Sequence, residues 1–295
     1  MLNKAPIFVH GFARGGTNMI MNLIASHPNI GMLGGELHQV FYGKEKEGIK
    51  KWVSRFLYFP IFAAARQHIF WHRCLDQRNR IPRFMMYYID LLLHLNKSRA
   101  AKNQFKFQAV KYSPSEAKNL RLLSKNPNGL AFTTGLFSKM YPDAVFIALV
   151  RNGFAVCEGM IRRGWEVGKA SVMYEKVCQR MISYSKSLPN YHILRFEHMI
   201  SDPVSFIRQV YSYAKLDLGL VPNFRIQAKK SMDKNGSRRY MFGQKDRELH
   251  WVHIEQLNNY FRKDVDKNQL LALSPSHKEI FLSHARKSME YFCYL

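Results

Sequence analysis

Apolar positions along the chain fall into short continuous runs and helically spaced stripes. Ile7, Phe8 and Val9 form a run too short for a helix and suited to a buried strand. A glycine-rich stretch follows, and Met19, Ile20, Leu23 and Ile24 then recur at helical spacing until His27-Pro28 ends the helix. Residues 105–114 read as a short strand with a turn at Pro114. Phe132, Leu136 and Met140 predict a helix that stops before Pro142. Ala144 to Val150 is apolar throughout, the composition of a parallel strand buried on both faces, and Asn152-Gly153 turns it into a helix running through Met160, Ile161 and Arg163. Tyr191 to Glu197 reads as another strand. Asp202 then caps a helix that has Pro203 at its first position and Val204, Ile207 and Val210 on its apolar face. The C-terminal stretch predicts helices packed on the core.

Strands alternating with helices predict an α/β fold, a parallel sheet flanked by helices. No repeat or low-complexity segment divides residues 1–295, so one domain is expected, with a helical insertion at 44–103. In that insertion Trp52, Phe56, Phe59 and Phe62, and then Phe84, Tyr87, Tyr88, Leu91 and Leu95, recur every three or four residues. These stripes fit helices packing on the sheet. With Lys50, Lys51, Arg55, Arg66, Arg73, Arg78, Arg80 and Arg83 nearby, they also fit an acceptor-binding lid or a membrane-surface patch.

Composition narrows the class. A hydrophobic fraction of 47% suffices for a sizeable core, yet no apolar run reaches the roughly 20 residues of a membrane span. The first strand begins almost at Met1, without a signal peptide ahead of it, and Cys74, Cys157, Cys178 and Cys293 are scattered without a CxxC pair. Both features predict a cytoplasmic, reducing location, with membrane-peripheral contact left open. The histidines show no ligand spacing, so no metal is expected. Lys and Arg outnumber Asp and Glu by 45 to 21, a net charge of +24 that implies polyanionic company. Nucleic acid, a membrane surface, an acidic glycan and a phosphorylated nucleotide all meet that requirement.

The strongest chemical signal is Gly11-Phe12-Ala13-Arg14-Gly15-Gly16-Thr17-Asn18, between the first strand and the first helix. Glycines let the backbone approach an anion, and the first N–H groups of a helix lack internal acceptors. Gly11 and Gly16 have the Walker A separation, but Thr17 stands where its lysine belongs and the cation is Arg14 instead. This predicts a P-loop-like phosphate cradle other than that of an ordinary ATPase or GTPase.

Arg14-Gly15-Gly16-Thr17-Asn18, then His27-Pro28 and Glu36, resembles the opening of the sulfotransferases that use 3′-phosphoadenosine-5′-phosphosulfate (PAPS), most closely the tyrosylprotein and bacterial branches. The resemblance implies that Arg14 and the backbone of Gly15, Gly16, Thr17 and Asn18 hold the 5′-phosphosulfate. It makes Glu36 the general base for an acceptor hydroxyl, with His38 in reserve. By residues alone Glu36 is equally a solvated loop carboxylate. The family's Lys-x-Pro lysine, which stabilises the transferring sulfuryl group, is matched to Lys111 of Lys111-Tyr112-Ser113-Pro114, one residue longer than the pattern.

Tyr141-Pro142-Asp143-Ala144 and Val150-Arg151-Asn152-Gly153 resemble the family's 3′-phosphate segment. There an arginine, a serine eight residues later and a further arginine contact the cofactor. The corresponding positions are Arg151, Gly159 and Arg163, so a glycine replaces the serine. With the helix continuing to Arg163, that guanidinium is expected one turn beyond Gly159 on the same face and able to compensate. Phe196 replaces a family tyrosine, Glu197 is read as structural, and the basic loop 225–247 is expected over the nucleotide with Ser231, Arg238 and Arg239 as contacts. The implied reaction is sulfuryl transfer from PAPS to an acceptor hydroxyl or amine on a peptide tyrosine, glycan, lipid or small molecule, with no nucleic acid involved. A P-loop small-molecule kinase using ATP-Mg, and a non-enzymatic basic module for nucleic acid or membrane, are the competing readings.

Overall fold

A computed structural model describes residues 2, 4–37, 83–103, 112–227, 249–261, 263 and 265–295. Five parallel strands form the central sheet in the order β2-β3-β1-β4-β5. They are β1 (Ile7–Gly11), β2 (Ile30–Met32), β3 (Arg121–Pro127), β4 (Val145–Val150) and β5 (Tyr191–Arg195). The helices of the sheet layers are α1 (Thr17–Ala25), α2 (Arg83–Asn103), α3 (Pro114–Asn119), α4 (Thr134–Met140), α5 (Gly153–Ile161), α6 (Val167–Ser187), α7 (Phe196–Ser201) and α8 (Pro203–Ala214). A two-stranded antiparallel ladder, β6 (Phe224–Gln227) with β7 (Leu249–Val252), packs beside α1. The chain closes with α9 (Val265–Ala272) and α10 (Pro275–Tyr291).

Period-two alternation divides the core into two layers. Phe8, Phe146, Ala148 and Val150 face one side, where α2, α4, α6 and α10 supply Leu93, Phe137, Tyr174 and Phe281. Ile7, Val9, Val145, Ile147 and Leu149 face the other, against Ile20 and Leu23 of α1 and Phe206 and Ile207 of α8. Both faces of β1 and β4 are therefore covered, which is why these strands consist of uninterrupted apolar runs. The expected α/β architecture and its flanking helices are present. Asp202 caps α8, its Oδ1 accepting from Ser205 N–H at 3.0 Å, with Pro203 behind it.

Three expectations change. Residues 105–111 lie outside the described residues, and Ser113-Pro114 opens α3 as a capping box with Glu116 instead of closing a strand. The strand between β1 and β2 is Arg121–Pro127, whose buried Ser124, Lys125 and Asn126 disguise it as polar. In the insertion, residues 44–82 lie outside the described residues, while α2 joins the sheet through Ile89 and Leu93. The larger residues of its stripe, Phe84, Tyr87, Leu91 and Leu95, point outward, Phe84 with 72% of its surface exposed. The strand predicted over 191–197 stops at Arg195, and Phe196 and Glu197 begin α7.

Candidate active site

The carboxyl ends of β1, β3 and β4 meet at one edge of the sheet, where the connecting loops gather. After Gly11 the chain makes a tight turn, with Gly15 N–H donating to the Phe12 carbonyl at 2.9 Å. Two residues then lie in the left-handed region, Arg14 at φ +80° and Gly16 at φ +85°. Glycine is required at 16 twice over, because a Cβ there would also lie 2.3 Å from the Phe196 ring. The positive φ of Arg14 is strained for a residue with a side chain, at about 1–2 kcal/mol. Two contacts hold it: Asn128 Oδ1 accepts from Ala13 N–H at 2.8 Å, and Arg151 Nη1 donates to the Arg14 carbonyl at 2.5 Å.

The loop delivers unfilled donors. Met19 N–H is used by the Gly16 carbonyl at 2.8 Å, and among the described residues nothing accepts from the backbone N–H groups of Gly16, Thr17 or Asn18. Asn18 Oδ1 is buried there without a partner among the described residues. Positive helix-end N–H groups beside Arg14 make a cradle that fits a phosphate or sulfonate.

Across β3 from the loop stands an ion pair. Lys125 Nζ donates to Glu36 Oε1 at 2.7 Å, the lysine side chain 9% exposed and the carboxylate 28%. Glu36 is placed by its neighbours: Leu33 and Leu37 on either side are buried, and Asn96 Oδ1 of α2 accepts from Gly34 N–H at 2.9 Å. Lys125 was not singled out by its surroundings in the sequence, yet Lys125-Asn126-Pro127 is a Lys-x-Pro without the extra residue that Lys111-Tyr112-Ser113-Pro114 carries. That literal match was the available signal. Lys111 itself lies outside the described residues, as do His38, Ser231, Arg238 and Arg239.

Arg151 ends β4 and is 4% exposed. Its Nε donates to Asp266 Oδ1 at 2.8 Å, and Nη2 donates to Asp266 Oδ1 and to Gln269 Oε1. The guanidinium also stacks 4.3 Å over the Phe196 ring, while Tyr174 Oη donates to the Arg151 carbonyl at 3.0 Å. Phe196 thus backs both the loop and the arginine. Asn152 caps α5, its side chain accepting from Phe154 N–H at 3.0 Å and its own N–H donating to Glu197 Oε1 at 2.9 Å. Glu197 also accepts from Tyr294 Oη at 2.7 Å, the structural role expected of it.

Gly159 sits on α5 directly against the loop. A Cβ there would lie 2.9 Å from Arg14 Cβ and 3.0 Å from Arg14 Cγ, so the glycine makes room for the arginine stem. Arg163 does not take the expected place. The helix ends at Ile161 with Arg162 as its C-cap, and Arg163 lies exposed in the following turn, not one helical turn beyond Gly159. Of the two α5-side arginines, Arg162 folds back onto Glu158.

The model of the sulfotransferase family matches residues 6–219, well over half of the chain. No curated protein is matched. Among solved structures, the chain is similar to the sulfotransferase domain of an olefin synthase from Synechococcus PCC 7002, with 16% identity, 75% of this chain and 77% of that chain covered, and a TM-score of 0.45. It is also similar to a sulfotransferase from Alicyclobacillus acidocaldarius, with 15% identity, 92% and 96% covered, and a TM-score of 0.39.

Proposed function

The chain belongs to the sulfotransferase family and is a transferase enzyme, and from that premise we propose that its sulfuryl donor is PAPS and that Lys125 and Glu36 face the transferring group. The observation that carries this reading is the pairing of a helix-end anion cradle with a Lys–Glu pair at the same edge of the sheet. The bound donor supplies an S–O bond whose leaving group is adenosine 3′,5′-bisphosphate, so the protein's work is orientation and charge neutralisation. Arg14 and the N–H groups of Gly16 to Asn18 hold the 5′ end, while the Gly15 N–H, expected among them, is spent on the Phe12 carbonyl inside the loop. Lys125, two residues before the end of β3, takes over the role that Lys111 was expected to fill, and donates to the sulfuryl oxygens. In the resting chain its ammonium is neutralised by Glu36. An incoming sulfonate competes for that ammonium and releases the carboxylate to accept the proton of an acceptor hydroxyl. Arg151 is the group for the 3′-phosphate. Ser231, Arg238 and Arg239 of the basic loop remain proposed contacts on the resemblance alone.

Among the described residues no helix is long and apolar enough to cross a membrane. Buried free thiols at Cys157 and Cys178 support a reducing, cytoplasmic setting. The test of the donor is titration with adenosine 3′,5′-bisphosphate, 5′-AMP and ATP·Mg²⁺. The bisphosphate should bind tightest. Arg151→Ala should remove the preference over 5′-AMP, a loss of about 2 kcal/mol for a charged contact. The ratio of the two nucleotides isolates the 3′-phosphate from any effect of Arg151 on the Arg14 carbonyl. Preference for ATP·Mg²⁺ would refute the donor assignment.

A further inference from the structure

The geometry points to α9 as an internal occupant of the 3′-phosphate site, with the Asp266 carboxylate held by Arg151 in place of the nucleotide's phosphate; this rests on the PAPS reading above. Every nitrogen of the Arg151 guanidinium already has an acceptor within the chain: Asp266 Oδ1 for Nε and Nη2, Gln269 Oε1 for Nη2, and the Arg14 carbonyl for Nη1. Two of these acceptors come from α9, where Asp266 and Gln269 are three residues apart and share a face. Gln269 fills the neighbouring position as well. Its Nε2 lies 3.6 Å from where a Cβ at position 159 would stand, the position of the serine in the family segment. The same Nε2 donates to Glu158 Oε2 at 2.7 Å and to the Ala155 carbonyl at 3.3 Å, which fastens α9 to α5.

The occupant is an imperfect one. Asp266 engages Arg151 through Oδ1 alone, and its Oδ2 is buried without a hydrogen-bond partner among the described residues. A buried carboxylate oxygen with no donor is destabilising. A phosphate presents several oxygens and more negative charge, and can face the guanidinium fork bidentately. A nucleotide with a 3′-phosphate therefore displaces Asp266 and gives up part of its binding energy to do so. One without that group binds at the loop and leaves α9 in place. Asp266 thereby sets how strongly the 3′ group contributes to donor affinity, and it couples donor binding to release of α9 from α5.

Asp266→Asn keeps the shape and removes the charge. It should tighten binding of adenosine 3′,5′-bisphosphate about tenfold or more and leave 5′-AMP within threefold of the wild type, both read by calorimetric titration. Gln269→Ala should act in the same direction with smaller size. Independently of either variant folding well, hydrogen exchange on the wild-type chain should show residues 265–272 losing protection when the bisphosphate is added and not when 5′-AMP is added. If the wild type prefers the bisphosphate and Asp266→Asn leaves its affinity unchanged or weaker, the occupant model is overturned and the PAPS reading stands. Unchanged or increased protection of 265–272 on bisphosphate binding overturns it too. If neither wild type nor Asp266→Asn separates the bisphosphate from 5′-AMP, the PAPS reading itself fails and takes this inference with it.

Discussion

Replacing Lys125 tests the chemistry most directly. Its ammonium is 2.7 Å from Glu36 Oε1 on a side chain only 9% exposed, two residues before the carboxyl end of β3. Lys125→Met keeps most of the buried stem and deletes the charge. The structural cost is set by the Glu36 carboxylate losing this ammonium, and at 28% exposure it can rehydrate. The loss of stability should therefore fall between that of an exposed and a fully buried pair, about 1–2 kcal/mol. The catalytic cost is larger. A preorganised donor aimed at developing charge is worth about 10²–10³ in turnover, or roughly 3–4 kcal/mol. Turnover is measured as bisphosphate released from saturating PAPS in the presence of a panel of phenol and alcohol acceptors. Bisphosphate affinity, from titration, should change little because the loop and Arg151 are untouched. Glu36→Gln should lower turnover by about 10², and the double variant should lose less than the product of the two single losses, because the residues act as one unit. Lys111→Ala serves as the comparison and should keep turnover within about threefold. Full activity in Lys125→Met, or the loss appearing in Lys111→Ala instead, would refute the assignment. A loss in His38→Ala with none in Glu36→Gln would move the base to His38.

Two other changes have definite expected outcomes. Gly159→Ser restores the family hydroxyl but drives its Cβ to 2.9 Å from Arg14 Cβ, so melting should show a loss of about 1–3 kcal/mol, as for overpacking, with no gain in bisphosphate affinity; unchanged stability with tighter binding would contradict this. His10 is fully buried beside Tyr191, and burial lowers its pKa from 6.5 to about 3. The native imidazole thus stays neutral while the unfolded chain takes a proton below pH 6.5. This site's stabilising contribution is whole above that pH and falls as pH drops towards 3, by about 1.4 kcal/mol per unit. Stability measured from pH 7 to pH 5 should therefore fall less steeply in His10→Gln than in the wild type, and parallel curves would exclude the site.

What the sequence made legible follows from how each segment satisfies its polar groups. β1 and β4 are covered on both faces by apolar side chains, so their hydrophobic runs announced them and the turns that follow. β3 is equally buried but broke the pattern with polar residues turned inward: Ser124 Oγ donates to Asn126 Oδ1 at 2.8 Å, Lys125 pairs with Glu36 at 2.7 Å, and Asn126 Nδ2 has no partner among the described residues. The Glu36 partner comes from folding, 89 residues away, and no periodicity reports it. On α2 two stripes interleave: the one with the larger residues, Phe84, Tyr87, Leu91 and Leu95, is exposed, while Ile89 and Leu93 take the sheet. Gly159 was visible as a departure from the serine pattern, and its cause was not, because the Arg14 stem that fills the space depends on a left-handed backbone at residue 14. Arg151 was placed correctly at its strand end, but its carboxylate partner lies 115 residues further along the chain. A buried arginine is costly with its charge unpaired, so the chain needs an anion of its own at that point. Asp266 meets that need, and on the proposal above it is the residue that a 3′-phosphate would displace.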